Sequence, residues 1–105
     1  MQYTVLVPLD GSPLAEQALP FAERLARATG ARLILTRVDT AFPAQETTVE
    51  PGVLRAAQQY LEQIRAKLGS EREVDIAVPH GEAAIEILST ASSRHAELIV
   101  SISTL

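Results

Sequence analysis

Four short aliphatic runs, separated by three longer stretches with helical spacing, constrain this chain more than any other feature. The runs are Tyr3–Leu9 (YTVLVPL), Arg32–Val38 (RLILTRV), Glu73–Val78 (EVDIAV) and a fourth opening at Glu97–Val100 (ELIV). Each is bounded by turn residues, as strands buried in a parallel sheet are. Strand and helix in strict alternation demand such a sheet with helices on both faces, a three-layer α/β/α architecture. The 105 residues, 47% of them apolar and mostly aliphatic, suffice for one domain, 1–105, with little to spare.

Local signals mark where the helices begin and stop. Ser12-Pro13 is a start: the hydroxyl can cap, and proline loses nothing at the first helical position. Glu16 then lies near the positive end of the helix dipole. Leu14, Ala18, Phe21, Ala22, Leu25 and Ala28 recur at spacings of three and four, and Gly30 occupies the left-handed C-cap position. Pro20 removes one backbone donor inside this helix and is expected to bend it there. Asp39–Glu50 reads as a long polar, mobile loop. Pro51-Gly52 opens a second helix whose stripe is Leu54, Ala57, Leu61, Ile64 and Leu68, closed by Gly69. A third runs from Gly81 to about Ser93, with Ala84, Ile85, Leu88 and Ala91 expected to face inward.

Charge and composition exclude several functions. With 13 acidic and 9 basic residues the formal charge is −4. Arg24, Arg27 and Arg32 lie near one another in sequence with Glu23 beside them, which reads as a solvated helix surface rather than a phosphate track, and nucleic acid is not an expected partner. Without cysteine there is neither a disulfide nor a thiolate zinc site. His80 and His95 are isolated, so no metal site is expected. The run Val5–Leu9 is too short for a signal peptide and is broken by Pro8, and nothing approaches membrane-spanning length. These readings give a cytoplasmic protein with no membrane partner.

Right-handed crossovers then limit the topology. If strands two and three step outward and the fourth returns beside the first, the order is 3-2-1-4. Open α/β sheets bind ligands beyond the carboxyl ends of the strands at that reversal. Asp10, Gly11 and Ser12 lie at this edge on one side, and Ser101 to Leu105 on the other. No catalytic residue is expected. Ser12 lacks the glycine-flanked elbow of a nucleophile. His80 reads as a solvated rim residue, His95 as a surface or helix-end residue at the opposite edge. Glu46 with Glu50 and Glu71 with Glu73 read as solvated loop charges. The chain is therefore expected not to be an enzyme.

LVPLDGSPLAEQALPFAERLA resembles the opening of the universal stress protein family, whose first strand enters a Pro-x-Asp-x-Ser turn and an Ala-rich helix. LILTRVD is similar to that family's second strand, VPHGEAAIEIL to its Val-x-x-Gly third turn, and SSRHAELIV to its approach to strand four. The resemblance covers essentially the whole chain and implies an adenine nucleotide alpha hydrolase-like, Rossmann-like sheet. It further implies that Pro8, Leu9, Asp10, Gly11, Ser12 and Val38 form a nucleotide site. Asp10 would face ribose or phosphate, and the Val38 backbone would meet adenine.

One departure stands out. ATP-binding members continue past strand four with Met-Gly-x-x-Gly, a spacer, Gly-Ser/Thr and a fifth strand, the glycines letting backbone amides approach phosphate. Here the sequence reads Ser101-Ile102-Ser103-Thr104-Leu105, so the fifth strand and glycine loop are expected to be missing. Hydrogen bonds to charged groups contribute roughly 1.5–3 kcal/mol each. Losing three weakens binding by about 4.5–9 kcal/mol, on the order of three to six decades. No firm cofactor is expected, and ATP or AMP with Mg²⁺ would bind weakly. An unpaired apolar edge tends to be covered, so Ile99, Val100, Ser101, Ile102 and Ser103 are expected to pair with a second copy. The leading expectation is an ATP-independent stress-response or regulatory module acting through an unknown protein partner. The alternative is an adenine-nucleotide sensor whose pocket a partner subunit completes.

Overall fold

The computed structural model describes residues 3–39, 51–69 and 73–102. The elements are β1 (Thr4–Pro8), α1 (Pro13–Glu16), α2 (Ala18–Thr29), β2 (Arg32–Thr36), α3 (Pro51–Leu68), β3 (Val74–Ala77), α4 (Ala83–Ser93) and β4 (Leu98–Ile99). Apart from Asp39, the polar loop expected before α3 lies outside the described residues, as do Ser103 to Leu105.

The four strands form one parallel sheet in the order β3-β2-β1-β4, the order expected if the fourth strand returns beside the first. Val5 stands beside Leu33 on one side and Leu98 on the other, and Leu33 in turn stands beside Val74. Side chains alternate across the sheet. Val5, Val7, Leu9, Leu33 and Leu35 point to one face, where Ala18, Ala22 and Ala26 of α2 and Leu61 and Ile64 of α3 complete the larger core. Leu6 and Ile34 point to the other face and meet Ala91 of α4, with Ile87, Ala96 and Ile99 packed around them. The short β4 is held to the sheet edge from both ends. The Glu97 N–H donates to the Thr4 carbonyl at 2.9 Å, the Glu97 carboxylate accepts from the Thr4 N–H, and the Val100 N–H donates to Leu6 at 2.9 Å.

Local predictions fail in three places, the first for a backbone reason and the other two for packing reasons. The expected single helix divides at Gln17, whose N–H closes a tight bond to the Leu14 carbonyl at 3.1 Å. Pro20 sits in the first turn of α2. Its missing N–H and its ring disrupt the turn before it, so the break falls three residues upstream of the proline. In the same segment the buried stripe is Ala15, Ala18, Ala22 and Ala26, while Phe21 is 57% exposed, Ala28 is exposed and Leu14 and Leu25 are half-buried. Alanines let the helix axis lie close to the strands. Phe21 turns outward, with the Arg24 guanidinium 5.8 Å from its ring centroid. On α4, Ala91 is buried as expected, but Ala84, Ile85 and Leu88 are exposed, and Ile87 and Thr90 take the inward positions instead.

Candidate functional site

Beyond the carboxyl ends of β2, β1 and β4, neighbours in the sheet, lies a cleft of about 460 Å³. Pro8, Leu9 and Asp10 enter it from β1, Thr36, Arg37 and Val38 from β2, Ser101 and Ile102 from beyond β4, and Ala83, Ala84 and Ile87 from α4. It therefore lies at the reversal of strand order, the place where open α/β sheets take their ligands.

The floor of the cleft is fixed by backbone bonding. The Leu9 N–H donates to the Thr36 carbonyl at 2.7 Å, carrying the β1–β2 ladder one step past the strands. The buried Thr36 hydroxyl donates to the Ala77 carbonyl at 2.9 Å and ties β2 to β3. Asp10 then begins the turn into α1. Its Oδ1 accepts from the Ser12 N–H at 2.8 Å, and Ser12 Oγ accepts from the Ala15 N–H at 3.1 Å, with Pro13 at the first helical position. Hydrogen bonds from Ser12 hold the Asp10 carboxyl below its ordinary range, and the Arg37 charge lowers it further. Asp10 is thus an anion with an exposed face beside the cleft, able to accept from ligand hydroxyls. Gly11 and Ser12 shape and cap the turn beside the cleft and are not among its lining residues. Pro8, Leu9, Asp10 and Val38 do line it.

Two features escaped the sequence reading. The first is Arg37, half-buried in the wall of the cleft, its guanidinium carbon 5.1 Å from the centroid of the Tyr60 ring. Tyr60 in turn donates its hydroxyl to Glu16 Oε2 at 2.7 Å. Burial, together with that carboxylate acceptor, pushes the Tyr60 hydroxyl up, so it stays protonated. A β-carbon on Gly11 would lie 3.1 Å from Arg37 Nη1, so the glycine makes room for the guanidinium. The available signal was a basic residue directly before Val38, at a strand end already assigned to the rim. The second feature is a clasp between the ends of β2 and β3. Asp39 donates its N–H to Pro79 at 2.8 Å and accepts from the Gly81 N–H at 3.0 Å. The buried Asp39 carboxylate also lies 3.4 Å from Nδ1 of the exposed His80. His80 is therefore at the rim, as expected, but paired. His95 is exposed in the turn after α4 with φ 56°, at a helix end.

Among the described residues no group of three or more His, Asp or Glu side chains could hold a metal ion, and no helix is long and apolar enough to cross a membrane.

An open parallel sheet with its cleft at the strand-order reversal defines a Rossmann-like α/β domain. The sequence profile described as the Universal stress protein family matches residues 1–104, and the chain belongs to that family. Solved structures agree on the fold. The hypothetical protein MJ0577 superposes with a TM-score of 0.81 at 21% identity, covering 96% of this chain and 74% of that one. Universal stress protein UspA from Lactobacillus plantarum gives a TM-score of 0.76 at 22% identity, covering 95% of this chain and 77% of its own. A universal stress protein crystallised in complex with cAMP gives 0.68 at 21% identity, with 92% and 69% covered. No curated protein sequence matches this chain closely.

Proposed function

We propose that this chain is a cytoplasmic, non-enzymatic stress-response domain whose cleft receives the nucleoside part of an adenine nucleotide, ATP or AMP. The observation that carries the reading is the convergence of Pro8, Leu9, Asp10, Val38, Ser101 and Ile102 on one cleft at the switch point. An anionic Asp10 can accept from ribose hydroxyls, and backbone groups at the end of β2 can meet a purine edge. A structural neighbour that holds cAMP is consistent with this chemistry. For Mg²⁺ the described residues offer a single carboxylate at the cleft, Asp10, so the metal has no ligand set of its own here.

The test is calorimetric titration with adenosine, AMP and ATP–Mg²⁺, with Asp10→Ala as the control. Binding weakened about tenfold or more by the substitution, as loss of a hydrogen bond to a charged group requires, supports the reading. No heat with any of the three at millimolar concentration sinks it.

A second reading, an interaction module that works without ATP, draws on the sheet edge. β4 pairs with β1, and among the described residues no strand lies on its other side, where Leu98 is 46% exposed. Backbone pairing through Ile99–Ser103 would join two copies as a homodimer; of these residues Ser103 lies outside the described part. Light scattering on a dilution series checks this, and a monomer at every concentration rejects the pairing.

A further inference from the structure

We propose that Arg37 is the anion-recognising residue of the cleft, so that the ligand class is a ribosyl phosphate held between Asp10 and Arg37. This inference rests on the nucleoside reading of the same cleft and adds to it the source of its phosphate contact.

Three observations place Arg37 in that role. It lines the cleft together with Asp10. It makes no ion pair with any described residue, the ion pairs there being those of Arg32 with Glu73 and Asp75 and of His80 with Asp39. A half-buried guanidinium that no described carboxylate pairs with keeps donors for a planar or tetrahedral anion. Finally, it is pre-positioned. One side of the group stacks towards Tyr60, whose hydroxyl is anchored on Glu16, and another lies against the bare Cα of Gly11. Stacking of this kind lowers the rotamer freedom that binding would otherwise remove.

The cleft thus offers two opposite chemistries side by side. Asp10 accepts hydrogen bonds and repels anions, whereas Arg37 donates them and attracts anions. A ligand satisfying both carries hydroxyls on one part and an anionic group on another. A neutral nucleoside satisfies only Asp10, and inorganic phosphate only Arg37. A single fork can serve one phosphate group, so a monophosphate is the expected form.

The experiment compares adenosine with AMP by calorimetry on the wild type, Arg37→Ala and Arg37→Gln, each checked for folding by circular dichroism. One charge-assisted fork is expected to make AMP bind about tenfold to a hundredfold more tightly than adenosine. Both variants should erase that preference. Added salt should weaken AMP and leave adenosine unaffected. The Gln variant keeps much of the side-chain volume, so it decides the matter if the Ala variant does not fold. Equal binding of AMP and adenosine by the wild type, or a preference that survives in Arg37→Gln, overturns the assignment. If neither compound binds, the nucleoside reading has failed on its own. Ribose 5-phosphate followed by amide chemical shifts then decides for Arg37: binding lost in Arg37→Gln sustains the anion site, and no binding rejects it.

Discussion

The two faces of the sheet are built from the same four strands yet are covered very differently. On one face α1, α2 and α3 enclose a core that includes Val5, Val7, Leu33, Leu35 and Leu61, each almost wholly buried. On the other, α4 is the helix that the described residues supply, and its fully enclosed cluster reduces to Leu6, Ile34 and Ala91. Ile85 and Leu88 of that helix remain 58% and 64% exposed. Hydrophobic stabilisation scales with the apolar area withdrawn from water, so the first face carries the larger part of it. The candidate site follows the same division. Arg37 stacks towards Tyr60 of α3, and Ala15 of α1 lines the cleft, whereas Ala83, Ala84 and Ile87 enter it from the thinly covered side.

The largest expected effect sets the faces against each other. Leu61→Ala on the crowded face should cost about 2–5 kcal/mol in urea unfolding, as buried leucine truncations do. Leu88→Ala on the other should stay within about 0.5 kcal/mol. Equal costs would mean that α4 is covered in solution and would break the comparison.

Gly81 comes next. It has φ +147°, and a β-carbon there would meet Glu86 Oε2 at 2.8 Å and Cγ at 2.9 Å. Gly81→Ala should therefore destabilise by about 1–3 kcal/mol, and a neutral result would mean that the entry to α4 is loosely held. Ser12→Ala removes the side-chain cap of α1 and should cost about 1 kcal/mol in the same assay; no change would transfer the capping to the Asp10 turn.

The smallest effect is a pH dependence. The fold lowers the Asp10 pKa from 3.8, so the folded chain holds that carboxylate as an anion more firmly than the unfolded chain does. The contribution is complete above that value and is lost as pH falls below it towards the folded pKa. In Asp10→Asn the decline in stability below about pH 4 should be slightly shallower than in the wild type. An identical slope would mean that the Ser12 hydrogen bonds are screened away in solution. The effect is small because Asp10 is exposed.

Much of the fold was legible because its signals are local or topological. Continuous aliphatic runs announced the strands, Ser12-Pro13 and Gly30 marked helix ends, and right-handed crossovers admitted the strand order that is observed. Half of the cleft was legible too: the topology placed Asp10, Ser101 and Ile102 at its edge, and the family resemblance implied Pro8, Leu9 and Val38. The inward side of α4 was not. Its sequence AAIEILSTASS is apolar on several sides, so periodicity selects no single face. Contact with Leu6 and Ile34, far away in sequence, decides for Ile87 and Ala91.

By itself, then, the sequence determined the alternation of elements, the position of the switch point and the carboxylate that marks it, because each follows from neighbouring residues and chain handedness. Only the tertiary structure decided that Arg37 reaches the cleft, that Tyr60 from α3 receives it, and that Asp39 clasps His80 across two strand ends. Those pairings join residues 23 and 41 positions apart. Nothing in the local pattern of either partner records the other; the packing of helices onto the sheet brings them within reach.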